Sequence, residues 1–104
     1  MNRVTIELWL WLGRRLEGDF ESPSAMRSLR EEVVEEGTTV RDLLGSLANR
    51  FKAIEQEVFD IQGQRLREGL VGIYSERVTG DDEFYRKILR DGDKVVILPV
   101  YTGG

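Results

Sequence analysis

The residues best suited to chemistry are Gly103 and Gly104, which follow Tyr101 and Thr102 at the C-terminus. Because glycine lacks a Cβ atom, two glycines form a thin tip that can pass through a narrow channel in another protein's active site. The α-carboxylate of Gly104 is ionised at neutral pH, and an ionised carboxylate can attack the α-phosphate of ATP to form an acyl adenylate. We therefore predict that Gly104 is the reacting residue and that Gly103 gives it access to a partner.

Other catalytic groups are scarce. The chain contains no cysteine and no histidine, which excludes disulfides, thiol nucleophiles, and imidazole bases or metal ligands. It also lacks a glycine-rich phosphate-binding motif. We expect the 19 acidic residues to lie on solvated faces, and we predict no metal site.

Length and charge narrow the class of protein further. A chain of 104 residues with 40% hydrophobic and 33% charged residues is typical of one globular domain, here residues 1–104. The net charge of −4 argues against nucleic acid as a partner, because phosphate binding needs a basic excess. No apolar run approaches the ~20 residues of a transmembrane helix, and Glu7 interrupts the apolar N-terminal stretch. We expect a cytoplasmic protein with no membrane partner.

Two strands are predicted to position the C-terminus. Residues 4–12 alternate with period two, which is typical of a strand. One face of that strand carries Val4, Ile6, Leu8, Leu10 and Leu12, and the other carries Thr5, Glu7, Trp9 and Trp11. Residues 94–100 are apolar on both faces, which favours a central place in a sheet. A tight turn is predicted directly before them, over residues 90–93, with Gly92 at a positive φ.

A helix of about three turns is predicted from Val40, with Thr39 as N-cap and Asp42 completing a capping box. Its apolar residues recur at helical spacing: Val40, Leu43, Leu44, Leu47, Ala48 and Phe51. Further strands are predicted over residues 28–36 and 70–75, with a short irregular strand pair between 58 and 66. Residues 13–26 are expected to form a loop held by Leu16 and Phe20, and residues 84–89 a connector.

This order of elements predicts an α+β fold of two layers, with the first and last strands paired at the centre of the sheet. It is the plan of the ubiquitin-like β-grasp, a mixed sheet of four to five strands with one main helix packed on one face.

The chain also resembles a known family, the MoaD/ThiS-like sulfur carriers of the ubiquitin fold, and most of all the small subunit of molybdopterin synthase. The resemblance rests on GTTVRDLL at residues 37–44 and on LRDGDKVVILPV at residues 89–100, followed by Gly103 and Gly104. Three features depart from the family pattern. Residues 13–30 are longer than usual, Pro99 stands without a second proline, and Ser75 replaces a common asparagine.

The resemblance implies a mechanism in which the protein is a co-substrate and not an enzyme. An adenylating enzyme of the ubiquitin-activating type uses ATP to form the acyl adenylate of Gly104, and a sulfur donor converts it to a thiocarboxylate. The tail then donates sulfur in molybdopterin-type cofactor biosynthesis, in the active site of a large synthase subunit or of another sulfur acceptor. The chain itself is expected to hold no cofactor. Two alternatives stay open: a protein modifier conjugated through Gly104, and a β-grasp adaptor that does not use its tail.

A docking patch for these partners is predicted on the sheet face away from the helix. Trp9 and Trp11 should lie beside the outward residues of the last strand, an assignment that comes from the resemblance: Val96, Leu98, Val100 and the following Tyr101. Contiguous exposed apolar surface often marks a binding site, and tryptophan is enriched among interface hot spots. The alternative is that residues 13–30 cover both tryptophans as a small second core. From about Val100 onward we expect a flexible diglycine tail.

Overall fold

The structure is a computed structural model that describes residues 1–100, without the side chains of Val78 and Asp81. Its elements follow in chain order: β1 (Asn2–Leu8), a 3₁₀ helix (Gly13–Leu16), β2 (Ser28–Val34), α1 (Val40–Arg50), α2 (Lys52–Glu57), β3 (Phe59–Asp60), β4 (Arg65–Leu66), β5 (Leu70–Tyr74), β6 (Arg77–Val78), α3 (Asp81–Arg86) and β7 (Lys94–Pro99). The main sheet has five strands in the order β2-β1-β7-β5-β6, and β3 and β4 form a small second pair. The predicted α+β, β-grasp fold is confirmed.

The first and last strands pair in parallel at the centre of the sheet, as predicted. The register aligns Thr5 with Lys94 and continues to Leu8 and Ile97, and antiparallel partners flank both strands. A tight turn sets this register. The N–H of Arg3 donates to Asp91 Oδ1 (2.8 Å), and the N–H of Gly92, which has φ 88°, donates back to the carbonyl of Arg3 (2.8 Å). The aspartate-glycine turn therefore ties the start of β7 to β1.

Helix α1 begins where the sequence predicted. The Thr39 side chain accepts from the N–H of Asp42, and the Asp42 carboxylate accepts from the N–H of Thr39, both at 3.1 Å. Its buried residues share one face: Val40, Leu43, Leu44, Leu47 and Ala48. They pack in one core with the inward residues of the two central strands: Val4, Ile6, Leu8, Val95 and Ile97. Burial of this apolar stripe, more than helix propensity, stabilises α1.

The main differences from the sequence prediction are at the end of β1 and in two short helices. β1 ends at Leu8 instead of reaching residue 12. Trp11 adopts a positive φ of 57°, which breaks the alternation at that residue. The helices α2 and α3 were not predicted, and the expected connector over residues 84–89 is wrong in its first part. Each of these helices has six residues, too few to show a helical period, and such short helices depend on tertiary packing.

Residues 13–30 join the main core instead of forming a separate one. Leu16 and Phe20 are buried as predicted, and the Phe20 ring meets Phe51 edge-on at 5.5 Å, just beyond α1. The Arg30 guanidinium lies near both rings, at 6.0 Å from Phe20 and 5.4 Å from Phe51. Residues 13–30 therefore pack at the C-terminal end of α1.

Within residues 1–100, no helix combines the length and apolarity that a membrane crossing requires.

Candidate functional site

The candidate site is the face of the sheet that α1 leaves uncovered. Residues paired across neighbouring strands point to the same face, so the register sets Glu7 beside Val96, Val96 beside Ile73 and Leu98 beside Val71. The N–H of Trp9 donates to the carbonyl of Ile97 (3.0 Å), which extends the parallel pairing past Leu8. The part of this surface that centres on five half-buried apolar residues is called the outer face below: Trp9, Val71, Ile73, Val96 and Leu98.

The outer face contains a shallow depression of about 540 Å³ beside Trp9. Its lining combines apolar and charged side chains: Glu7, Trp9, Arg27, Lys94, Val96 and Leu98. Three of the residues predicted to bind a partner, Trp9, Val96 and Leu98, therefore lie together. Because the depression is open and does not enclose a ligand, it suits the side chains of a docked protein better than it suits a small molecule.

Trp11 lies elsewhere. Its backbone N–H donates to the carbonyl of Met26 (3.1 Å). Its side chain lines a separate cleft with Arg14, Arg15 and small residues between positions 13 and 25. The Trp11 side chain is 65% exposed, so the alternative that residues 13–30 bury the tryptophans is wrong for Trp11. Its positive φ is the reason that it leaves the face predicted from alternation.

The tail begins from a strand that is held on both sides. β7 lies between β1 and β5, and just past its end the N–H of Val100 donates to the carbonyl of Gly69 (2.7 Å). The Val100 side chain is exposed. Tyr101, Gly103 and Gly104 lie outside the described residues, as does the predicted flexibility of the tail.

Glu7 forms an ion cluster that the sequence did not reveal. Its side chain is only 2% exposed although it points to the outer face. One carboxylate oxygen accepts from Arg27 Nε, and the other accepts from Lys94 Nζ at 2.8 Å. The expectation that all acidic residues are solvated is therefore wrong for Glu7, and also for Glu32, which is 9% exposed. The two cations come from a loop and a strand far apart in sequence, so only the fold shows the pairing.

The cluster keeps Glu7 charged. Burial raises the pKa of the Glu7 carboxyl, but the hydrogen bonds and positive charges of Lys94 and Arg27 outweigh that effect, so the pKa lies below its usual value. The Arg27 guanidinium also lies over the Trp9 ring, 5.5 Å from its centroid, a favourable cation–π geometry. Glu7 therefore holds one cation against the aromatic side chain of the outer face and a second beside it.

We expect Glu7→Gln to lower the free energy of unfolding, and to do so more at neutral pH than in acid. Because the pKa is lower in the folded chain than in the unfolded chain (about 4.3), the charged form contributes fully above that value. This contribution is lost as the pH falls through the folded pKa. Urea unfolding at about pH 7 and at about pH 3 measures the change.

A matched control for this prediction is Glu31→Gln, which removes an exposed ion pair with Arg3 on the same side of the sheet (3.2 Å). Exposed pairs contribute little, so we expect a change below about 1 kcal/mol. A deficit of Glu7→Gln that is equal at both pH values would contradict the role assigned to the Glu7 charge.

The geometry of the outer face supports binding and offers no metal centre. Among the side chains that the structure describes, no three carboxylates come close enough together to hold a metal ion. The surface instead joins an apolar patch to a cluster with a net charge of +1, next to the strand that carries the C-terminal tail.

Comparison with known proteins gives one family match and several structural matches. The model of the ThiS family matches residues 23–104. The structure is similar to SAMP1 from Haloferax volcanii, with a TM-score of 0.69 and 18% identity over 99% of this chain and 100% of that chain. It is also similar to a Pyrococcus furiosus protein provisionally described as molybdopterin converting factor, subunit 1 (TM-score 0.66, 21% identity, 97% and 100% covered).

A further structural match is the small archaeal modifier protein 1 (SAMP1) from Methanosarcina acetivorans, with a TM-score of 0.65 and 21% identity over 100% of this chain and 98% of that chain. At these identities the solved structures show the shared fold alone. No curated protein sequence matches the chain.

Proposed function

Because the chain belongs to the ThiS family, we propose that it is a sulfur-carrier protein activated at the carboxylate of Gly104. The observation that supports this most is the diglycine terminus, which follows the central strand of a β-grasp domain in a chain of that family. The two glycines give the tip the thinness that a partner's active-site channel requires.

The proposed chemistry has two steps, both catalysed by partners. In the first, a Gly104 carboxylate oxygen attacks the α-phosphate of ATP, and pyrophosphate leaves. In the second, the outer sulfur of a donor persulfide attacks the acyl carbon and AMP leaves, which gives an acyl disulfide. A second thiol of the donor then attacks the donor's sulfur, so the S–S bond breaks, a donor disulfide forms and the Gly104 thiocarboxylate leaves. The chain is a co-substrate in both steps and catalyses neither.

The proposed destination of the sulfur is a molybdopterin-type cofactor. The likeness of the fold to the Pyrococcus furiosus protein with that description supports this destination. The proposed partners are an adenylating enzyme of the ubiquitin-activating type and then the large subunit of a synthase, and we place the protein in the cytoplasm.

The adenylation step is tested by mixing the chain with ATP and the adenylating enzyme of its native organism. We expect pyrophosphate release that depends on the chain, and no release would contradict the proposal.

Docking of both partners is proposed to use the outer face. Trp9, Val96 and Leu98 form its centre, and the interface is proposed to extend to the three other residues predicted from sequence: Trp11, Val100 and Tyr101. Aromatic anchors beside half-buried aliphatic side chains are typical of interface hot spots.

We expect Trp9→Ala to weaken binding to the adenylating enzyme by more than about tenfold, or ~1.4 kcal/mol. The lost contact lies at the centre of the outer face, so this effect should exceed that of Trp11→Ala, which removes a mostly exposed ring. Titration calorimetry measures the affinity, and thermal unfolding shows that both variants fold.

The matched control is Val33→Ala, because Val33 is also an exposed apolar residue of the sheet but lies on the outermost strand, opposite Arg3. Its affinity should be unchanged. If Trp9→Ala binds as tightly as Val33→Ala, the outer face is not the docking surface.

A protein modifier is the second candidate function. It is favoured by the structural likeness to the two SAMP1 proteins, both described as small archaeal modifier protein 1. A modifier would be joined through Gly104 to lysines of other proteins. Trypsin cleaves after Lys94, so a conjugate would appear as a lysine carrying the branch VVILPVYTGG. Such branches in a digest of the native organism's proteins would favour the modifier over the carrier.

A further inference from the structure

The ion cluster of Glu7, Arg27 and Lys94 presents only its positive side to the surroundings. The Glu7 carboxylate is 2% exposed, whereas the side chains of Arg27 and Lys94 are 35% and 46% exposed. One buried negative charge and two accessible positive charges leave a net charge of +1. On a chain with a net charge of −4, the cluster is a local site of opposite sign.

Within the part of the chain that the structure describes, most hydrogen-bond donors of this cluster have no protein acceptor. Lysine has three N–H donors and arginine five. Within the described residues, the side chains of Arg27 and Lys94 each donate one hydrogen bond, to Glu7. Arg3 and Glu31, which lie on the same side of the sheet, pair with each other. The residue aligned with Lys94 is the uncharged Thr5. The free donors are therefore available to an acceptor from outside the chain.

We propose that Arg27 and Lys94 together bind a carboxylate, from an aspartate or glutamate of the protein that docks on the outer face. This proposal rests on the proposed function, because it needs a partner on that face. Charge complementarity supports it: a carboxylate matches the planar guanidinium and accepts well from an ammonium group. The apolar body of the same partner segment contacts Trp9, which lies under Arg27.

Glu7 is a positioning residue in this arrangement. Its two oxygens hold both cations in one geometry before binding, which reduces the rotamer entropy that long side chains lose in an interface. It also lowers the positive charge of the cluster from +2 to +1. Glu7 and Lys94 therefore have opposite effects on the field that attracts a carboxylate, although both stabilise the same cluster.

The test uses this opposition of sign. The association rate constant of the full chain with its adenylating enzyme is measured by stopped-flow fluorescence at low and at high salt. We expect Lys94→Gln to lower the rate about threefold or more at low salt, and Glu7→Gln to raise it, with both differences smaller at high salt. Lys52→Gln is the matched control, since it changes the net charge equally on α2, on the helical side, and should change the rate little.

The outcomes separate this proposal from the docking surface itself. If Lys94→Gln behaves as Lys52→Gln does, or if Glu7→Gln and Lys94→Gln change the rate in the same direction, the carboxylate proposal is overturned. The docking surface still stands in that case if Trp9→Ala loses affinity. Arg27→Gln, expected to lower the rate as Lys94→Gln does, decides the question if Glu7→Gln does not fold.

A second copy of the chain is the competing occupant, because the chain itself is rich in carboxylates. Analytical ultracentrifugation of the free protein at assay concentration tests this. We expect a monomer, and a dimer that Lys94→Gln dissociates would overturn the proposal.

Discussion

Removal of Gly104 is expected to abolish the pyrophosphate release that the full chain supports with its adenylating enzyme and ATP. The terminal carboxylate would then belong to Gly103, one residue short of the position that the partner's active site accepts. Only one glycine would remain of the thin tip. Pyrophosphate release measured by a coupled enzyme assay gives the result directly. Equal release by the full and truncated chains would show that the tail is not the reacting group.

The truncation is expected to leave folding intact. All helices and strands of the described structure end by Pro99, and the residues of the core end at Ile97. The midpoint of thermal unfolding should therefore be unchanged, which separates a loss of chemistry from a loss of structure.

Gly103→Ala provides an intermediate case. It should fold normally, but its reaction with ATP and the adenylating enzyme should release pyrophosphate more slowly, because the added methyl group widens the tip.

Gly72→Ala is expected to destabilise the fold strongly. Gly72 lies in β5 with the Phe84 ring of α3 packed directly against its backbone, and a Cβ atom added there would lie 2.1 Å from Phe84 Cζ. The ring is buried, so it cannot move without disturbing its neighbours. We expect a loss of about 2–4 kcal/mol, between the usual costs of overpacking and of losing a buried aromatic ring. Thermal and urea unfolding measure it.

Gly45→Ala is the matched control for this prediction. Gly45 lies inside α1, and an added Cβ would meet only Phe59 at an ordinary 3.9 Å. Since alanine favours a helix more than glycine does, this change should stabilise the fold by up to about 1 kcal/mol. A double-mutant cycle adds a second check: Phe84→Ala should relieve most of the cost of Gly72→Ala, so the two costs should not add. Additive costs would place the strain elsewhere.

The parts of the fold that the sequence predicts are those with a local signal. The capping box at Thr39, the alternation in the first strand and the turn around Gly92 each depend on neighbouring residues, and the structure contains all three. The central pairing of the first and last strands followed from their apolar character.

The parts that the sequence did not predict depend on contacts between distant segments. From sequence alone, a glycine such as Gly72 only lowers the strand propensity of its segment. The packing of the Phe84 ring against its backbone is visible only in the fold. From sequence alone, Glu7 was expected to be a solvated carboxylate. In the fold it pairs with Lys94 of β7 and with Arg27 of the loop before β2. Trp11 continues the alternation in sequence but leaves the face through a positive φ. The sequence therefore predicted the shared face of Trp9, Val96 and Leu98 correctly but not the charged cluster beside them. The role of these residues in docking stays a prediction.

Sulfur carriage is tested most directly by the mass of the C-terminal peptide. Protein purified from its native organism under conditions that preserve thiocarboxylates is digested with trypsin, which releases residues 95–104 with the terminus intact. We expect part of this peptide to be heavier by the difference between one sulfur and one oxygen atom, with the change located at Gly104 by fragmentation. A terminus found only as the carboxylate, or only joined to lysine side chains of other proteins, would contradict a sulfur carrier.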